Sequence, residues 1–187
     1  EIIKKFSLKR VNKRGAEFNE DKLRWLNGEH IRKLDIDSFI KITGQFFKVD
    51  YSSEWFRKFV ELYHGRVKTL AEFKEEYDVF ISDEVSYDDD AVEKSLKKEG
   101  ILGILKSAKE RLEKIEGFTQ ENIESELRAL VEELNLQSGD LIHPLRVAVT
   151  GRSVSAGIFE VLELLGKGKT IKRLDGVIGG IWKKKEN

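Results

Sequence analysis

Apolar residues along this chain recur every three or four positions, with polar residues filling the gaps. That is the period of helices lying against a core. The first such run opens at Asn19, a residue type suited to a helix N-cap. Glu20 and Asp21 follow in the first turn, where free backbone N–H groups favour negative charge. Leu23, Leu26, His30 and Ile31 fall on one face, with Trp25 and Asn27 beside it. A short helix is predicted over about 37–43, stopped by Gly44. Ser52 or Ser53 caps an aromatic-rich helix in which Trp55, Phe59 and Leu62 make an i, i+4, i+7 stripe suited to core packing. Gly65 ends it and Arg66 follows. Another helix runs from Leu70 to about Tyr77, and Val79-Phe80-Ile81 continues as buried extended chain or a last helical turn.

The acidic stretch 82–90 is the best internal boundary, and Asp88 can cap a helix over about 89–98. After Gly100 and Gly103, a helix over 104–115 carries Leu105, Ala108, Leu112 and Ile115 on one face. Thr119 caps a long helix through Asn135, with Ile123, Leu127, Leu130, Val131 and Leu134 inward. Ser138-Gly139-Asp140 breaks the pattern. Pro144, the only proline, is expected at the first position of a short mixed helix, where its missing N–H costs nothing. An elbow at 150–157 leads into an apolar helix that ends on Gly166, and a basic helix runs from Thr170 to about Trp182. No alternating strands, hairpin signal or repeat stands out. The expectation is an all-α fold: two consecutive helical bundles forming an elongated arm, with residues 1–18 as an irregular basic lead-in, then 19–87, then 88–187.

Composition changes this picture in two ways. The 34 Lys and Arg balance the 34 Asp and Glu, so the chain lacks the bulk positive charge of a protein that coats nucleic acid. Locally the balance fails. Residues 1–33 carry ten basic and five acidic residues, residues 72–93 one basic and ten acidic, and residues 146–187 nine basic and four acidic. RNA is expected to be drawn to both ends of the sequence and repelled by the middle. There is no Cys, hence no disulfide framework and no thiolate zinc site, which suits the cytoplasm. There is no Met, and the chain begins mid-pattern, as a piece of a longer protein would. No apolar run reaches the roughly 18 residues that a membrane span requires.

Candidate chemistry is sparse. Gly166-Lys167-Gly168-Lys169-Thr170 suggests a phosphate loop, but Glu163 stands where its first Gly must be, and a helix precedes it instead of a strand. His30, His64 and His143 have no partner at metal-ligand spacing. No catalytic set and no metal site is assigned. The elbow is more promising. Arg146 and Arg152 flank it, Ser155 adds a hydroxyl, and the first N–H groups of the next helix are free. Such a group can hold an anion or a nucleobase edge.

The elbow also carries a family resemblance. Pro144, Leu145, Arg146, Ala148, Thr150, Gly151, Gly157 and Phe159 fit a P-L-R-x-A-(L/V)-T-G pattern followed by a small-residue turn and an apolar helix. Phe6-Ser-Leu-Lys-Arg10-Val and Phe18-Asn-Glu-Asp-Lys-Leu-Arg24-Trp25-Leu-Asn27 fit a second block, F-x-x-x-R-V then F-(D/N)-x-x-K-L-x-W-(L/M)-N. In that order these blocks resemble the C-terminal, anticodon-binding region of bacterial glutamyl-tRNA synthetases. The resemblance implies that the parent uses ATP and Mg²⁺ to join glutamate to tRNA, and that this part lacks the catalytic domain, needs no cofactor and is inactive alone. It implies tRNA(Glu) as partner, with tRNA(Gln) as a second substrate if discrimination is relaxed. It also implies a monomer with no DNA or membrane partner. The segment 61–73, similar to L-x-x-x-R-x-x-T-L-x-E-F, puts Arg66 where the family reads the last anticodon base. Arg146 matches the Arg that approaches the anticodon loop, and Ser155, Ala156, Gly157 and Ile158 match the turn that touches unstacked bases. Ala156 stands where the family often has Pro. Arg10, Arg24, Trp25 and Asn27 lie in the block that meets the inner side of the tRNA. The rival from another class is a helical protein-interaction module with no RNA role.

Overall fold

The computed structural model describes residues 2–7, 15, 17–47 and 52–182. Among them every regular element is a helix, as expected: α1 (Ile2–Lys5), α2 (Glu20–Arg32), α3 (Ile36–Phe46), α4 (Glu54–Tyr63), α5 (Leu70–Ile81), α6 (Asp89–Ser95), α7 (Ile101–Lys114), α8 (Gln120–Glu133), α9 (Ser138–Thr150) and α10 (Ile158–Ile178). The starts are set by local side chains. Asn19, Asp35, Ser53, Thr69, Asp88 and Thr119 each accept a backbone N–H of the first turn that would otherwise lack a partner.

Phe59 is the centre of the first half. It is fully buried, and its ring meets those of Tyr63 at 4.8 Å, Phe73 at 5.1 Å, Phe80 at 5.3 Å and Tyr77 at 5.5 Å. Mostly edge-to-face pairs of this kind contribute beyond their buried area. Phe39 of α3 closes the cluster against Phe73 and the buried His64. The His64 ring also bonds the Ile31 carbonyl at 2.7 Å, which ties the end of α2 to the end of α4. In the second half α10 packs on α7, α8 and α9. There α9 is the most enclosed helix, with Leu141, Leu145, Val147, Ala148 and Val149 all at 0% exposure.

Polar side chains stitch the halves together. The Trp55 indole donates to the Leu164 carbonyl at 2.8 Å. Arg173, 5% exposed, donates to the carbonyls of Val149 at 2.6 Å, Val79 at 2.6 Å and Ser82 at 2.8 Å. Lys169 donates to the carbonyls of Phe80 and Ile81. These are carbonyls at the C-terminal ends of α5 and α9, where cations suit the helix dipole. Burial holds Arg173 and Lys169 below their ordinary pKa values. The loop 82–88 then crosses the start of the elbow, where the Asp88 N–H donates to the Gly151 carbonyl at 2.9 Å.

Several expectations are corrected. The face of α2 drawn from Leu23, Leu26, His30 and Ile31 buries only Ile31; Leu23 is 51% and Leu26 46% exposed, and His30 is exposed. Among the described residues α2 is buried at Gly28 and Ile31 alone. Gly44 does not stop α3, because Phe39 and Thr43 anchor both its turns in the core. Gly103 likewise sits inside α7, and Val79-Phe80-Ile81 forms the last turn of α5. Pro144 lies inside α9. The roughly 3 kcal/mol cost of an interior proline is offset by the burial of Leu141, Leu145, Val147, Ala148 and Val149 around it. Gly166, with φ at 77° and ψ at 159°, breaks the direction of α10, which resumes at once instead of at Thr170. The basic tail 183–185 lies outside the described residues.

Two stability outcomes follow. Arg173→Leu leaves three carbonyls without their donor at the seam, so it should cost about 3–5 kcal/mol in a urea titration. Gly151→Ala should cost at least about 2 kcal/mol in the same assay. Its φ of 76° is left-handed, and a Cβ there would stand 2.0 Å from the Ser86 carbonyl oxygen.

Candidate nucleic-acid interface

The elbow is built from within. The Thr150 hydroxyl donates to the Arg146 carbonyl at 2.7 Å and accepts the Arg152 N–H at 3.2 Å, so it closes α9 and starts the turn. Gly151 supplies the left-handed backbone there. Arg146, half-buried, reaches across the loop and donates to the Ser155 hydroxyl and, at 2.6 Å, to the Ala156 carbonyl. It therefore braces the turn instead of forming a surface ion pair. Burial pulls its pKa down, while the nearby Tyr63 and Glu160 push it up.

What the turn offers outward differs from position to position. Ser155 and Gly157 are partly exposed, whereas Ala156 at 1% and Ile158 at 4% turn their side chains into the core. A ligand could therefore meet those two positions through their backbone. The start of α10 also has company. The Glu160 carboxylate folds back against Gly157, close to where a Cβ would stand. A carboxylate at that spot opposes a bound anion. Of the two ligands the elbow was expected to suit, a nucleobase edge fits it better.

Arg66 lies in the turn after α4 and is exposed. Its Nε donates to the Leu62 carbonyl at 3.1 Å, which leaves its two terminal nitrogens with no ion pair among the described residues. It acts electrostatically on both Tyr63 and Arg146. Arg66, Arg146 and the elbow thus share one region of the surface. Arg24, Trp25 and Asn27 form a second group. Arg24 pairs with Glu72, and the Asn27 amide donates to the Lys68 carbonyl. Glu72 accepts the Lys68 N–H at 2.6 Å, so this group is joined to Arg66 through the loop 65–69. Trp25 is 55% exposed and free to stack. Arg10 lies outside the described residues.

Two residues not assigned a site role in the sequence, Tyr63 and Glu76, join Arg152 in completing the region. Arg152 pairs with Glu76 of α5 at 3.0 Å. The phenol of Tyr63, 2% exposed, lies close enough to Glu76 to act on it electrostatically. The only sequence signal was Arg152 beside the elbow; its partners lie too far along the chain to be paired by spacing. Part of the C-terminal basic run is paired: Arg152 is matched by Glu76 at 3.0 Å, and Lys172 approaches Asp83 at 3.9 Å. Lys167 and Lys169 donate to carbonyls at the ends of α7 and α5. The Gly-Lys-Gly-Lys-Thr segment is thus a joint whose lysines cap neighbouring helices. An open cleft of about 720 Å³ beyond Arg152 is lined by Glu75, Asp78, Glu84 and Asp88, which marks a side phosphates avoid. No group of three or more His, Asp or Glu gathers to hold a metal among the described residues, and none of their helices is long and apolar enough to cross a membrane.

Known proteins share this architecture. A glutamate–tRNA ligase 2 of Thermoanaerobacter pseudethanolicus is 36% identical over 96% of this chain and 39% of its own length. A glutamate–tRNA ligase of Thermodesulfovibrio yellowstonii is 37% identical over 95% of this chain and 40% of its own. The chain therefore spans about two fifths of the curated relatives it matches. The crystal structure of a glutamate tRNA ligase from Elizabethkingia meningosepticum, in complex with its amino acid, shares the fold with a TM-score of 0.77 at 23% identity. It covers 94% of this chain and 35% of that one. A family model described as an anticodon binding domain matches residues 31–178. That match takes in α3 to α10 with the elbow and the Arg66 turn, and the chain belongs to the anticodon-binding domain family.

Proposed function

We propose that this chain is the tRNA-recognition part of a glutamyl-tRNA synthetase, a ligase that uses ATP and Mg²⁺ in a catalytic domain not contained here. Residues 1–18 end a stem-contact segment, 19–87 form a first anticodon-binding body and 88–187 a second. The partner is tRNA(Glu), met by a cytoplasmic monomer with no DNA or membrane partner. The observation that carries this reading is Arg66, an exposed guanidinium with no carboxylate partner among the described residues, beside an elbow braced by Arg146. A guanidinium presents planar donors that read a base edge and can stack on its face. The elbow adds the Ser155 hydroxyl and the backbone of Ala156, Gly157 and Ile158. Arg24, Trp25 and Asn27, reached through the loop 65–69, meet the stem. Arg66 favours the last base of glutamate anticodons over that of glutamine anticodons.

Fluorescence anisotropy with stem-loop RNAs carrying either anticodon tests this. The glutamate stem-loop should bind more tightly, and its binding should weaken steeply as salt rises. Arg66→Ala should cost about 1–3 kcal/mol on the glutamate stem-loop and narrow the gap to the glutamine one. Equal affinity for both stem-loops would favour an enzyme that also charges tRNA(Gln). Absence of salt-sensitive binding would favour a protein-interaction module.

A further inference from the structure

The elbow meets α4 and α5 through one polar contact set. Tyr63 comes from the last turn of α4, Glu76 from the middle of α5 and Arg152 from the turn itself. Glu76 has a side-chain exposure of 23% and Arg152 of 37%, so the pair is partly shielded from water. Tyr63 also lies near the far end of the same turn, where the Ala156 backbone influences its phenol. One end of the 151–157 loop is therefore held to Glu76 directly through Arg152, and the other lies beside Tyr63, its neighbour. The family's proline, which would stiffen this turn, is Ala156 here.

We propose that Glu76 is a positioning residue for RNA recognition: its carboxylate, set between Tyr63 and Arg152, docks the 151–157 elbow on α4 and α5 so that Arg66 and Arg146 bear on the same few nucleotides. This rests on reading the face as an RNA surface. Glu76 faces Tyr63 from α4, Glu75 on its own helix and Arg152 from the elbow. Burial raises its pKa above the ordinary carboxylate value, against the pull of Arg152 and Tyr63. The sign has two consequences. Neutralising Glu76 favours the folded state, so its contribution to folding stability declines as pH rises from the ordinary carboxylate value through the raised one. The ionised form holds Arg152, so RNA binding gains over the same range.

Stability and recognition should therefore separate in Glu76→Gln. Its Tm should equal or exceed that of the unsubstituted chain. Its affinity for the glutamate stem-loop should fall about tenfold, and hydrogen exchange at 151–157 should speed about tenfold while α7 and α8 keep their protection. Glu76→Asp should recover part of both. Unchanged exchange at 151–157 would overturn the inference, and so would unchanged affinity in a chain that binds RNA. Faster exchange throughout, with a lower Tm, would overturn it too, by assigning Glu76 to folding. If the unsubstituted chain binds no stem-loop, the RNA reading falls. The exchange measurement then still decides whether Glu76 holds the turn.

Discussion

Arg173 carries a guanidinium into the seam between the C-terminal ends of α5 and α9, and the relation between the two halves rests on it. Three backbone carbonyls from the two sides converge on its terminal nitrogens. A buried cation is tolerated only where its donors are satisfied, and helix C-terminal ends supply both acceptors and favourable dipoles. Lys169, one turn earlier, reaches the next carbonyls of α5. With α5 fixed against α10 in this way, Glu76 faces Arg152, the loop 82–88 lies over Gly151, and Arg66 sits beside the elbow. The candidate surface is thus assembled from residues brought together by contacts made behind it.

Charge is arranged by the same logic. Read linearly, the acidic middle and the basic end look like a repelling and an attracting surface. Folded, parts of them face each other, as Arg152 with Glu76 and Lys172 with Asp83. Lys167, Lys169 and Arg173 spend their donors on carbonyls. Arg66 stays out of these pairings, and its separateness is more informative than the number of basic residues near it.

Local physics was legible in the sequence, and long-range packing was not. Asn19, Asp88 and Thr119 identify helix starts because a cap is decided within four residues. The elbow at 150–157 is bounded by the helix ends at Thr150 and Ile158. Gly44, Gly103 and Pro144 misled because propensity is a weak preference that the burial of Phe39, Leu105 and Leu145 overrides. The stripe along α2 is mostly exposed; periodicity says which residues share a face but not how deeply that face is buried. At the candidate site, resemblance singled out Arg66 and Arg146. Glu76 could not be found that way, because its tie to Arg152 joins residues 76 positions apart.

The contact of Gly151 with Ser86 has a further consequence, for how this region can vary in length. Two stretches of backbone cross there with no space for a side chain on the elbow. An inserted or deleted residue on either side of that crossing would shift both the acidic loop and the start of the turn. The tip of the turn is different: Ser153 is exposed, and Val154 at 77% exposure has little against it. Lengthening or shortening of the chain would be absorbed most easily at those two positions, while the crossing beneath them keeps its register.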